Sequence, residues 1–223
     1  MSFSEKIYRT LILGDRYKLI IDGLTNTLLI TFFASILGCL IGIGICYLRV
    51  QHNKILNNIA KSYIYFFRGI PIVLLLMLMY YVVLNDTRLN GILVSIITFA
   101  LYHSAYVSEI FRSGLISVKE EQFEASLSMG FNRQQTFFYI ILPQIIRVIF
   151  PVYRGEFITL IKLTAIVGYI GVKDLTRAID IIRSQTFEAI FPLILATALY
   201  FMIIGILNII LNFIEKLINP RKV

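Results

Sequence analysis

Residues 23–48 read GLTNTLLITFFASILGCLIGIGICYL, and none of these side chains is charged. A helix needs about 20 apolar residues to cross the hydrocarbon core of a bilayer, and this run is longer than that. A second uncharged run, residues 189–214, meets the same test. Two such runs in a chain of 223 residues predict a polytopic membrane protein. They exclude a soluble enzyme, a disulfide scaffold and a disordered tail.

The composition supports this prediction. Hydrophobic residues make up 58% of the chain and charged residues 15%, whereas a soluble domain has about 45–50% and about 25%. The net charge is +8, but the cations flank the apolar runs and form no basic block, so we expect no nucleic-acid partner. Cys39 and Cys46 lie inside the first run, where we expect small buried residues without a redox role.

Three further apolar segments lie between these two runs. The second predicted span begins at the RGIP sequence of residues 68–71. Gly114 is expected to cap the third span, and the fourth is the weakest because charged residues interrupt it. The sequence therefore predicts an all-α polytopic protein with about five transmembrane helices, at residues 24–48, 68–84, 91–111, 134–171 and 189–214.

The segments outside the spans define the expected domain boundaries. Residues 1–18 carry charges at short intervals, so no cleavable signal is expected there. The transmembrane domain is expected at residues 19–215, with a tail at residues 216–223. Lys and Arg residues in the short loops weakly favour a cytoplasmic tail, and the loop at residues 113–133 then faces the cytoplasm as well. The spacing of four apolar residues in the first segment predicts an amphipathic surface helix: Phe3, Ile7, Leu11 and Ile12.

The loop at residues 113–133 contains a short predicted helix. Ser117 and Glu120 have the spacing of a capping box, and Gly130 can take the left-handed conformation that ends a helix. Asn132 and Gln135 predict the cap of the next helix. Phe123 and Leu127 are expected on one face, and small side chains that would admit a partner surface are Ala125, Ser126 and Ser128.

The same loop carries a family resemblance. Glu124-Ala125-Ser126 with Gly130 and a later Leu142-Pro143 resembles the Glu-Ala-Ala signature loop of the membrane subunits of ATP-binding-cassette (ABC) importers, with only Ser126 departing from it. The similarity covers about residues 19–215 and is strongest to the polar amino acid permease subfamily. Other matching stretches are Gly23-Leu24 with Thr25, Thr27 and Thr31, then residues 67–71, then residues 105–112.

This resemblance implies a type I ABC importer fold and a set of partners. Two membrane subunits, either two copies or two related chains, would form the pore, and two ATPase subunits and an extracytoplasmic binding protein would dock on it in the bacterial inner membrane. The chain has no Gly-x-x-x-x-Gly-Lys-Ser/Thr phosphate loop, so it is expected to be no enzyme and to bind no cofactor or metal, with ATP and Mg²⁺ on the partner ATPase. The resemblance assigns the ATPase contact to Phe123, Glu124, Ala125, Ser126, Leu127 and Gly130.

Charged residues inside the fourth span indicate where a substrate could bind. A charge at the centre of a span costs about 2.5–3.5 kcal/mol on insertion scales, so such residues usually face a cavity or a partner. Glu156 and Lys162 fit this description, although an equally weighted alternative pairs Glu156 with Arg154 or with another helix in a structural role. Where the subfamily has Lys followed by Asp, this chain has Leu163. The predicted substrate-binding residues are Glu156, Thr159, Lys162, Thr164 and His103.

The sequence thus favours the permease subunit of an ATP-driven importer for polar amino acids. The main alternative is a secondary transporter or channel without an ATPase, which the signature loop and the lack of an inverted repeat disfavour. A membrane scaffold without a transport role would leave the capped helix at residues 117–131 unexplained. Glu109 and Arg112 are spaced as an intrahelical ion pair and are not expected to contact the substrate.

Overall fold

The computed structural model describes residues 8–219, apart from the side chain of Arg9. The described part of the chain is helical and contains no strand. Phe3 and Ile7 of the predicted N-terminal helix lie outside the described residues, as does the second half of the predicted tail, residues 220–223. We number the helices in chain order: α1 Arg16–Val50, α2 Lys54–Gly69, α3 Ile72–Leu78, α4 Gly91–Ser117, α5 Glu120–Ser128, α6 Arg133–Gln135, α7 Leu142–Leu163, α8 Leu175–Thr186 and α9 Ile190–Ile218.

Within the described residues, four helical segments are long and apolar enough to cross a membrane. The first is kinked at Gly14 and Asp15, which have positive φ. A π-helical segment at Thr136–Ile141 joins α6 to α7, and a 3₁₀-helical segment at Thr164–Ile170 continues α7. These segments therefore form one rod. The predicted first, third, fourth and fifth spans are confirmed. Their observed bounds are Thr10–Val50, Gly91–Ser117, Arg133–Ile170 and Ile190–Ile218.

The second predicted span has a different form from the one we expected. It starts at Lys54 instead of Arg68, and its two parts, Lys54–Gly69 and Ile72–Val83, are bent by 103°. Pro71 explains the break, because a proline ring crowds the preceding residue and excludes it from the helical conformation. Ile70 is accordingly extended, at φ −97° and ψ 132°.

Close packing of α1 on α4 forms the centre of the molecule. A β-carbon added at Gly38 would lie 3.0 Å from the Ala100 carbonyl oxygen, and one at Gly42 would lie 2.8 Å from the Val107 β-carbon. This small-x-x-x-small pair therefore lets the two backbones approach, as it does in many membrane helices. Phe99 is fully buried in the cluster between the two helices.

Two predicted helix ends are wrong. Gly114 does not end a helix; it lies inside α4, where a β-carbon would be 2.9 Å from Ile145 Cγ2. Ser117 is the last residue of α4 and donates its hydroxyl to the Gly114 carbonyl, so it forms no capping box with Glu120. The loop expected from residue 113 consequently begins only after residue 117.

A buried polar cluster around the start of α8 joins this helix to α1 and α9, where the Thr176 and Tyr200 hydroxyls are 3.0 Å apart. The Asp174 carboxylate, which is fully buried, caps α8 by accepting hydrogen bonds from the amides of Thr176 and Arg177. The Leu175 amide donates to the Thr27 hydroxyl on α1, at 3.1 Å. Burial raises the pKa of the Asp174 carboxyl above its ordinary value, and the hydrogen bonds oppose that shift.

Candidate functional site

The end of the molecule that carries α5 is defined by an ion-pair cluster. Glu109 accepts two hydrogen bonds from Arg112, at 2.7 and 2.9 Å, which confirms the predicted intrahelical pair. Arg49, at the last turn of α1, lies 3.7 Å from the same carboxylate. The end of α1 therefore lies beside the end of α4, and the loop that carries α5 projects from this end of the molecule.

Three contacts fix α5 against the rest of the chain. Phe123 packs on the cluster formed around Ile145. Ser126 is 1% exposed, and its hydroxyl forms a 2.9 Å hydrogen bond with that of Thr136. The Gln144 amide donates to the Gln122 side chain at 2.7 Å. One face of α5 is therefore held by the rod that follows it.

The opposite face of α5 is exposed. Glu124 and Ala125 lie on it, while Leu127, one turn after Phe123, lies on the side of Phe123 and is 38% exposed. Gly130 beyond the helix has φ +90°, which confirms the predicted left-handed cap. Ser126 differs from our expectation because its small size serves packing inside the chain instead of admitting a partner. The capping box of Asn132 and Gln135 is present, with both hydrogen bonds at 2.9 Å.

The break between α2 and α3 lies near the middle of the membrane-spanning region. Near its start α2 contacts the end of α1, where Arg49 donates to Asn57 at 2.8 Å. Further along, the Tyr63 hydroxyl lies 2.7 Å from the Ser104 hydroxyl, halfway along α4. Since α2 rises from the α5 end to this level, its last turn, with Arg68, is at mid-depth.

Four polar side chains lie near this depth. The Arg68 guanidinium lies over the ring of Tyr106, 4.8 Å from its centroid. The hydroxyls of Tyr102 and Tyr106 are 3.0 Å apart. Glu156 on α7 is half-buried and follows by one turn Tyr153, whose ring packs against His103 on α4. Glu156 and Arg68 form no ion pair with each other. We call Arg68, Tyr102, Tyr106 and Glu156 the mid-depth cluster.

Arg68 was not predicted from the sequence as the cation of this cluster. Arg154 and Lys162 are nearer to Glu156 along the chain, but Arg154 instead pairs with Glu215 on α9, at 2.9 Å. Lys162 is exposed and makes no ion pair with any residue in the described range 8–219. The sequence signal for Arg68 was an arginine at the start of a predicted span, two residues before the break at residues 70–71.

Of the remaining predicted substrate residues, one is exposed and two are buried. Thr159 is exposed, and its hydroxyl donates to the Gly155 carbonyl at 3.0 Å. Thr164 is fully buried and donates to the Ile161 carbonyl at 2.7 Å. His103 is also fully buried, packs against Gly38 on α1 and the Tyr153 ring, and finds no hydrogen-bond partner in the described part of the chain.

Comparison with known proteins agrees with this architecture. Residues 34–223 match the family described as binding-protein-dependent transport system inner membrane component. The probable glutamine ABC transporter permease protein GlnM of Bacillus subtilis is 31% identical over 92% of this chain and 95% of that protein. The putative glutamine transport system permease protein GlnP of Rickettsia prowazekii is 34% identical over 92% of this chain and 93% of that protein.

Solved structures share the fold. The crystal structure of an amino acid ABC transporter with histidines has a TM-score of 0.82 and 34% identity, covering 97% of this chain and 98% of that one. An inward-facing structure of the MetNI methionine ABC transporter has a TM-score of 0.77 at 18% identity, covering 92% of this chain and 99% of that one, which shows likeness of fold alone.

The fold is that of an ABC importer permease of type I. The chain belongs to the family of binding-protein-dependent transport system inner membrane components. It is a multi-pass membrane protein and a transport subunit, whereas ATP hydrolysis belongs to a separate subunit. Membership in this family decides against the secondary transporter, the channel and the scaffold.

Proposed function

We propose that this permease subunit carries polar amino acids and holds them at the mid-depth cluster while they cross. The observations that carry the proposal are the Arg68 guanidinium, which lies over the Tyr106 ring at the break in the second span, and Glu156, the half-buried acid of α7. Relatives named as glutamine and arginine permeases agree with a substrate of this kind.

The chemistry of the cluster suits a zwitterion. An amino acid that leaves water must exchange its hydration for protein partners, or the desolvation cost excludes it. Glu156 would accept hydrogen bonds from the substrate ammonium group, and Arg68 would donate to its carboxylate. Tyr106 holds the guanidinium in place by a cation–π contact. Exposed Thr159 and Lys162 would lie along the same helix, while buried Thr164 and His103 would support the packing.

The exposed face of α5 is the proposed contact with the ATPase. Glu124, Ala125 and Leu127 would meet the partner, while Phe123 and Ser126 would hold the helix in position and Gly130 would end it. ATP and Mg²⁺ would be bound by the ATPase pair, and a second permease, identical or related, would complete the pore. An extracytoplasmic binding protein would deliver the substrate at the α8 end. The C-terminus and α5 would then share the cytoplasmic side of a bacterial inner membrane.

Uptake of radiolabelled amino acids by proteoliposomes with the complete importer tests the substrate site. Glu156→Gln should raise the substrate concentration for half-maximal uptake, more for a cationic than for a neutral amino acid, because it removes the partner of the ammonium group. Basal ATP hydrolysis should not change. Asp86→Asn, which removes an exposed acid in the loop before α4, is the matched control. Normal uptake by Glu156→Gln, with selectivity altered by truncation of Glu109 or His103, would refute the assignment.

A further inference from the structure

The exposed side of α2 carries a polar stripe along its whole length. Lys54, Lys61 and Arg68 recur at intervals of seven residues, which places them within about 40° of one another around the helix. Asn58 and Tyr65 fill the intervening turns on the same side. All five side chains are exposed in the single chain. We call these five residues the α2 stripe.

The opposite side of α2 explains why the stripe is free. Ala60 and Ile64 are buried against the bundle, and the Tyr63 hydroxyl is hydrogen bonded to α4. A separate apolar side, with Ile59, is exposed about 120° from the stripe. The helix thus presents two distinct exposed sides, and only one of them is cationic.

The stripe connects the mid-depth cluster to the α5 end of the molecule. Arg68 belongs to both the stripe and the cluster, and Lys54 lies near the ion-pair cluster of Arg49 and Glu109. An open cavity of about 480 Å³ is lined by Arg49, Lys61, Tyr65, Arg68 and Glu109. A second cavity, of about 510 Å³, also includes Lys61 and Tyr65 in its lining. Open space therefore joins Arg68 to Lys61, and Lys54 lies on the exposed side of the helix about two turns beyond Lys61.

The cations of the stripe are not neutralised by the chain itself. In the described residues, neither Lys54, Lys61 nor Arg68 has a carboxylate within ion-pair distance. Lysines without a partner in a membrane-spanning region are costly and usually border a water-filled path. Such a row of charges attracts a carboxylate and lowers the barrier to its movement along the row.

We propose that the α2 stripe is the exit path for the substrate carboxylate, which passes from Arg68 to Lys61 and then to Lys54. The inference rests on the proposed function, because Arg68 is the starting point of the path. It adds Lys61 and Lys54 as residues that contact the substrate after it leaves the mid-depth cluster. No bond is made or broken along the path, and the carboxylate exchanges one cationic partner for the next.

Thiol labelling measures the potential along the stripe without requiring transport. Asn58→Cys, in a background with Cys39→Ala and Cys46→Ala, should react with an anionic methanethiosulfonate faster than with a cationic one. The rate ratio should exceed that of Ile59→Cys, a neighbour on the apolar side, by about fivefold, or about 1 kcal/mol at about 1.4 kcal/mol per tenfold. Lys61→Gln should bring the two ratios together. Equal ratios at both positions would overturn the proposal.

Substrate protection distinguishes an amino acid from a lipid headgroup. In proteoliposomes of phosphatidylcholine alone, a transported amino acid at millimolar concentration should slow labelling of Asn58→Cys but leave Ile59→Cys unchanged. Protection that appears only when phosphatidylglycerol is added would assign the stripe to lipid phosphate and contradict the proposal.

Uptake provides the functional readout. Lys61→Gln should lower the maximal uptake rate about fivefold without changing the half-maximal concentration, and Lys61→Arg should restore the rate. The control is Lys216→Gln, which removes the same charge from an exposed position on the last turns of α9. If Glu156→Gln transports normally while Lys61→Gln is impaired, the ammonium contact of Glu156 is wrong and the carboxylate path that starts at Arg68 is retained. If Lys61→Gln matches the parent, the exit path is wrong.

Discussion

Individual residues in this permease act mainly through the groups that surround them. Asp174 is a buried carboxylate at the start of α8, and its charge is satisfied by two backbone amides rather than by a cation. Arg154 resembles a substrate residue by its position in a span, yet it pairs with Glu215 and joins α7 to α9. Arg68 makes no ion pair within residues 8–219 and lies over the face of Tyr106.

Replacement of Asp174 separates its capping role from its charge. Asp174→Ala should lower stability by about 1 kcal/mol or more, because the first amides of α8 lose their acceptor. Asp174→Asn keeps an acceptor at that position and should be tolerated. Thermal unfolding of the detergent-solubilised protein, followed by circular dichroism, compares the two variants. Equal losses of stability in both variants would show that Asp174 does not stabilise the protein by capping α8.

The raised pKa of Asp174 also predicts a pH dependence. The folded state prefers the protonated carboxyl, so its contribution to stability is greatest below the ordinary carboxyl pKa and is lost as the pH rises through the folded-state pKa. Asp174→Asn cannot lose a proton. The melting temperature of Asp174→Asn relative to the parent should therefore rise between pH 4 and pH 7, and a constant difference would contradict the assignment.

At the scale of elements, helix contacts explain which parts of the chain are rigid. Gly38 and Gly42 bring α1 against α4 so closely that neither position has room for a side chain. By contrast, α5 is short, and only one of its faces is held by the chain, through Phe123 and Ser126. Its contacts join α5 to the helical segment that begins at Arg133.

The α1–α4 contact predicts unequal effects of two glycine substitutions in the same helix. In Gly42→Ala the added methyl would lie 2.8 Å from the Val107 β-carbon and 2.9 Å from the Ser104 carbonyl, and overpacking of this kind costs about 1–3 kcal/mol. Gly44 has nothing within 4 Å of an added β-carbon, so Gly44→Ala is the matched control. Thermal unfolding should separate the two; equal melting temperatures would argue against the close contact.

The exposed face of α5 predicts a loss of coupling. Glu124→Lys reverses an exposed charge, and Gly130→Asp strains a position at φ +90°. Both variants should lose transport and copurify with less ATPase, although the spans still insert. Measuring uptake and ATPase recovery from the same preparation checks both effects. Undiminished transport by the two variants would refute the contact.

At the scale of the whole molecule, the fold separates two ends with different tasks. The Arg49–Glu109–Arg112 cluster and α5 occupy one end, while the Asp174 cluster ties α1, α8 and α9 together at the other. The mid-depth cluster lies between them, and the break at residues 70–71 brings Arg68 to that level. This arrangement suits a path that is open at one end at a time.

The orientation of these ends is tested by labelling in intact cells. In a background with Cys39→Ala and Cys46→Ala, Gln122→Cys on α5 should be shielded from an impermeant thiol reagent, and Arg88→Cys in the loop before α4 should react. Both positions are exposed in the chain, so a difference in labelling reports the side of the membrane. Labelling of Gln122→Cys from outside would invert the topology.

The sequence by itself determined the membrane class, the approximate spans and the family, because long uncharged runs and the signature loop are local patterns. It also determined the Gly130 cap and the Asn132–Gln135 box, whose partners are a few residues apart. Only the tertiary structure decided that Gly114 packs against Ile145 and that Ser126 faces inward. It alone paired Arg154 with Glu215 and placed Arg68 over Tyr106. Those partners lie on different helices, and the packing that sets their distances follows from the shapes of whole helix faces, which no local pattern encodes.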